Sequence, residues 1–72
     1  MSLTLTVNGE TRVLDPAPEP ANLAAVVAQL ANNPQLVVAE HNGVIAPRSR
    51  WDSTVVKDDD TLEIVTIVGG GS

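Results

Sequence analysis

The chain has 72 residues, 43% of them hydrophobic, with nine acidic against four basic side chains for a formal charge of −5. A single domain of this size buries only about 60% of the surface its unfolded chain exposes, which leaves little room for a deep catalytic cleft. The acidic excess disfavours phosphate backbones, and one Trp with no Phe or Tyr leaves no stacking platform for single strands, so nucleic acid is not an expected partner.

Residues 1–7 alternate apolar and polar, Leu3, Leu5 and Val7 against Thr4 and Thr6, the period of a half-buried strand. They lack the basic n-region of a signal peptide. Asn8-Gly9 suits a type I′ turn, whose two central positions both need positive φ, and residues 10–14 return as the second strand of a hairpin. Pro16, Pro18 and Pro20 make residues 15–21 a connecting loop, because proline has no N–H to give a sheet interior. Asn22 is a good helix N-cap, and Leu23, Val26, Val27 and Leu30 then fall on one apolar stripe. That stripe, residues 23–30, is far shorter than the ~20 residues of a membrane span. Asn32-Asn33-Pro34 ends the helix, since the residue before a proline is pushed out of the α region.

Residues 36–40 read as a β-branched strand, Asn42-Gly43 as a second turn, and Val44 with Ile45 as the returning strand. Residues 48–53 form a short turn or 3₁₀ segment, residues 54–56 a short strand and residues 57–60 a turn. Residues 61–68 are the last strand, with Leu62 and Ile64 toward the core, and residues 69–72 are expected to be a flexible glycine-rich tail. A single helical stripe is buried most economically against one sheet, and a right-handed crossover sets a later strand beside the first. The expected fold is α+β: a β-grasp domain over residues 1–68, a mixed sheet of four to five strands on one main helix, with first and last strands parallel.

Few side chains suggest chemistry of their own. His41 is the only histidine and the chain has no cysteine, so neither a thiol nucleophile nor a metal set is available. Asp58-Asp59-Asp60 lacks the spacing and bidentate Glu of a calcium loop and reads as a solvated turn. Trp51 is expected to cap the core. Arg48 and Arg50 either anchor a partner or make ordinary surface pairs. Val65 and Ile67 lie opposite Leu62 and Ile64 in a strand, so either loops cover them or they form a docking patch.

The run Asn42-Gly43-Val44-Ile45-Ala46-Pro47-Arg48-Ser49-Arg50-Trp51 resembles the NG-x-x-x-PRS-x-W signature of bacterial ThiS proteins, which are ubiquitin-like sulfur carriers of thiamin biosynthesis. Asp58-Asp59-Asp60-Thr61-Leu62-Glu63-Ile64-Val65 is similar to that family's DGD-x-L-E-I-V, with Asp59 at the glycine position, and Gly70-Gly71 resembles its terminal diglycine. The resemblance implies a carrier acted on by other enzymes, with no catalytic residues and no bound cofactor. An E1-like, ThiF-like partner would use ATP to adenylate Gly71, and Gly69 and Gly70 would thread the tail into its site. A persulfide sulfur donor would turn the adenylate into a thiocarboxylate, and a ThiG-like thiazole synthase would accept the sulfur into the thiazole of thiamin. Val65, Ile67 and Arg48 are the candidate partner-docking residues. A cytoplasmic monomer without membrane contact is expected.

Ser72 follows Gly71, whereas such carriers act through a free terminal glycine. Either a protease removes Ser72, or it is foreign to the native chain, or the chain is not activated with it in place. Two other functions fit the same outline. One is a molybdopterin-synthase small subunit, also a sulfur carrier; the other is a ubiquitin-like modifier or interaction domain.

Overall fold

The computed structural model describes residues 1–67. The expectations for Val68, Gly69, Gly70, Gly71 and Ser72 lie outside the described residues.

Strands Leu3–Val7 (β1) and Glu10–Leu14 (β2) pair antiparallel, from Leu3 opposite Leu14 to Val7 opposite Glu10. Asn8 and Gly9 between them have φ of 51° and 83°, the two positive values of a type I′ turn. Helix α1 spans Leu23–Leu30, and the Asn22 side-chain oxygen accepts from the Ala25 N–H at 2.8 Å, capping its first turn. Leu23, Val26 and Val27 are fully buried, and Leu30 packs at the core's edge. The helix stops at Ala31, whose backbone is already extended.

A 3₁₀ turn at Pro34–Leu36 precedes β3, Val37–His41, so the strand starts one residue later than the residue pattern suggests. The Leu36 N–H is drawn into that turn by the Asn33 carbonyl, yet the Leu36 carbonyl still accepts from the Ile67 N–H at 2.6 Å. Asn42 and Gly43 repeat the positive-φ turn, at 52° and 84°, and lead into β4, Val44–Ala46. A second 3₁₀ segment, Arg48–Ser53, carries Trp51 into the core, where its indole N–H donates to the Ala46 carbonyl at 2.9 Å.

The strand expected at residues 54–56 shrinks to a single bridge between Val55 and Asn22. The Leu23 N–H donates to the Thr54 carbonyl and the Val56 N–H to the Ala21 carbonyl. The ladder stops there because α1 begins on one side and Pro20, with no N–H, lies on the other. The last strand, β5, is Thr61–Thr66.

The sheet order is β2-β1-β5-β3-β4, with β5 parallel to β1 and antiparallel to β3. Helix α1 covers one face, so the fold is a β-grasp with a mixed five-stranded sheet. Buried Leu3, Leu5, Val7, Leu62, Val37 and Ala39 meet the helix stripe and Trp51 there. Among the described residues no helix is long and apolar enough to cross a membrane.

Candidate functional site

The glycine run follows β5 in the sequence, so what holds β5 sets how that run is presented. On the β1 side, the Asn8 N–H donates to the Leu62 carbonyl at 2.9 Å. The chain then turns away, and the Asn8 side chain continues the ladder in place of a strand. Its amide oxygen accepts from the Ile64 N–H at 2.7 Å and its amide nitrogen donates to the Ile64 carbonyl at 3.1 Å. On the β3 side, the Asn42 side-chain oxygen accepts from the Thr61 N–H and the Asn42 N–H donates to the Thr61 carbonyl, both at 2.8 Å. Each turn asparagine therefore does two jobs: it tolerates positive φ and it grips the last strand.

Residues opposite one another in a sheet share a face, and side chains alternate along each strand. The register pairs Val38 with Val65 and Glu40 with both Glu63 and Ile45, all on the face away from α1. Leu36 and Ile67, joined by the hydrogen bond just beyond the strand ends, extend the same rows. Leu36, Val38, Val65 and Ile67 are 45%, 39%, 62% and 52% exposed, so no loop among the described residues covers them. They form an apolar quartet on β3 and β5 and just beyond their ends, at the end of β5 that leads toward the glycines.

Arg48 is placed differently. Its guanidinium donates to the carbonyls of Pro34 and Val37, at 2.9 and 3.1 Å, and lies 4.5 Å above the Trp51 ring. Those carbonyls bracket Leu36, so Arg48 fixes the backbone beneath one member of the quartet rather than joining it.

The acidic turn before β5 is built, not merely solvated. Asp58 accepts the Thr4 N–H at 2.8 Å, and Asp59 takes φ of 70°, the left-handed conformation a glycine would hold more easily. Asp60 accepts from His41 Nε2 at 2.8 Å and from the Lys57 N–H at 2.9 Å. Partial burial of Asp60 works against its charge, but the hydrogen bonds from Lys57, His41 and Asn42, with the His41 charge, outweigh it and hold the carboxyl below its ordinary value. Among the described residues no cluster of His, Cys, Asp or Glu is placed to hold a metal ion.

The structure thus brings Val65 and Ile67 together with Leu36 and Val38, which residue patterns did not connect with them. The missing link is the β3–β5 register, a long-range pairing. The asparagine grips went unread for the same reason, since Asn8 and Ile64 are 56 positions apart.

Comparison with known proteins gives a consistent set. Residues 5–71 match the model of the ThiS family. A crystal structure of the thiamine biosynthesis protein ThiS from Geobacter metallireducens superposes with a TM-score of 0.78 at 34% identity, covering 96% of this chain and 100% of that one. A thiazole synthase of Paramagnetospirillum magneticum is 34% identical over 70 residues, which are 97% of this chain but 21% of that protein. The uncharacterized protein ycf40 of Pyropia yezoensis is 33% identical over 70 residues, covering 97% of this chain and 94% of its own length.

Proposed function

The chain belongs to the ThiS family, and from that premise we propose that it is a sulfur carrier of thiamine biosynthesis that works through Gly71. The carboxylate of Gly71 attacks the α-phosphorus of ATP on a ThiF-like adenylating enzyme and displaces pyrophosphate. The terminal sulfur of a persulfide donor then attacks the activated carbonyl and AMP leaves, forming an acyl disulfide; a thiol cleaves its S–S bond, leaving the donor sulfur in a disulfide and releasing the thiocarboxylate. A ThiG-like thiazole synthase takes that sulfur into the thiazole ring. The likeness of this chain to a fifth of a thiazole synthase polypeptide supports that last partner. ATP is the activating enzyme's substrate, and the carrier itself binds no cofactor. The reactions take place in the cytoplasm.

The observation that carries this reading is the exposed quartet of Leu36, Val38, Val65 and Ile67 beside the end of β5, the strand that leads to the glycine run. A carrier without a cleft contributes presentation: a surface its partner holds and a tail its partner can thread. Glycine suits the tail, because a Cβ beside the reacting carbonyl would hinder attack and only glycine reaches every φ the threading needs. Gly69 and Gly70 do the threading. Val65 and Ile67 dock on the adenylating enzyme, and Arg48 contributes by holding the backbone around Leu36.

Ser72 must be absent for activation. It adds a side chain at the reacting end and displaces the carboxylate by up to ~3.5 Å, and ångström-scale misplacement can cost on the order of a hundredfold in rate. ATP–pyrophosphate exchange with the cognate ThiF-like enzyme tests this, comparing the 72-residue chain with one ending at Gly71. Exchange by the shorter chain alone is expected. Equal exchange by both makes Ser72 the acceptor, and exchange by neither favours the interaction-domain reading.

A further inference from the structure

Glu40 and Glu63 stand directly opposite each other in the β3–β5 register, on the face away from α1. Directly opposed side chains in a sheet have Cβ atoms about 5 Å apart, and like charges so placed repel. Among the described residues no salt bridge or side-chain hydrogen bond reaches either carboxylate. All four Lys and Arg residues fall within the described residues, and His41–Asp60 is the only ion pair there. Arg48 is committed to two carbonyls and the Trp51 ring. Arg12 pairs with Leu5 and so faces α1, while Arg50 and Lys57 lie outside the sheet.

The two carboxylates are also out of keeping with their surroundings. Every other residue that the register assigns to this face of the five strands is Thr, Val or Ile. Glutamate is disfavoured in strands, and a Thr or Gln at either position would remove the repulsion. Local choices that work against the fold concentrate at functional sites. Val38 and Val65 adjoin the pair along the two strands, and Ile45 flanks Glu40 on β4.

We infer that Glu40 and Glu63 are the electrostatic half of the docking face and receive basic side chains of the ThiF-like adenylating enzyme while the apolar quartet meets an apolar patch beside them. This rests on the docking reading above and adds to it the chemistry of the partner's surface. An arginine fork fits two neighbouring carboxylates, and closure of the apolar contact excludes the water that would otherwise screen them. The repulsion held in the free carrier is relieved in the complex, so the pair favours association and opposes folding.

The test uses the full chain and its cognate ThiF-like enzyme, with association followed at low and high salt for the native protein, the double variant Glu40→Gln/Glu63→Gln, and Val65→Asp. The double variant should associate on the order of tenfold more slowly at low salt, with a flatter salt dependence. Its urea midpoint should rise, which a merely structural role for the pair would not produce. An unchanged rate and salt slope for the double variant overturns the inference. If Val65→Asp still weakens binding in that case, the docking face stands without its electrostatic half. If Val65→Asp is also silent, the docking face itself is wrong.

Discussion

One oxygen of Asp60 joins two segments: it accepts from the Lys57 N–H within its own turn and from His41 on β3. Replacing Asp60 with Ala leaves both donors short of a charged acceptor, and we expect a loss of roughly 1–3 kcal/mol at neutral pH. The sign of the pH dependence follows from the lowered pKa. A carboxyl that titrates lower in the folded chain stabilises it above the unfolded value, and that contribution disappears as pH falls through the folded value. Urea midpoints of the native protein and Asp60→Ala should therefore differ at neutral pH and converge on acidification. A constant gap down to acid pH would remove charge from the explanation. Asn8 makes a parallel case without charge. Asn8→Ala removes both bonds to Ile64 and should cost about 1–3 kcal/mol, while Asn8→Asp keeps the acceptor and should recover part of it.

The elements differ in how far local chemistry determines them. The β1–β2 hairpin and α1 follow from rules that act within a few residues: an Asn-Gly turn, an Asn cap, a stripe at helical spacing. Each appears where those rules put it. Val27 is fully buried within that stripe, so Val27→Ala should lower stability by about 1–3 kcal/mol in chemical denaturation. A negligible shift would contradict the packing of α1 on the sheet. Residues 54–56 carry strand-like side chains, yet their partner is a proline loop running into a helix, and one bridge is all it can offer. The exposure of Val65 and Ile67 was half legible, because alternation sets their face but says nothing of what covers it. The pairing of Val38 with Val65 and of Glu40 with Glu63 was not legible at all, since no local signal fixes the register between distant strands. Arg48 reads in the sequence as a partner anchor or an ordinary surface pair, whereas three contacts within the chain hold it in the fold.

At the scale of the whole molecule, the sheet has two faces with different tasks. One packs on α1 and Trp51 and holds the domain together; the other exposes the apolar quartet, with Ile45 and Val13 further along the same face, and two opposed carboxylates. β5 belongs to both, with Leu62 buried in the core and Val65 open on the other side. The same strand thus anchors the domain and leads to the glycines that we propose carry sulfur. The direct test is the intact mass of the chain ending at Gly71 after incubation with its ThiF-like enzyme, ATP, a persulfide donor and a thiol reductant. The account predicts that one oxygen is replaced by one sulfur and that fragmentation places the change at the Gly71 carboxyl. An unchanged mass, in a mixture that does convert another ThiS carrier, would contradict it.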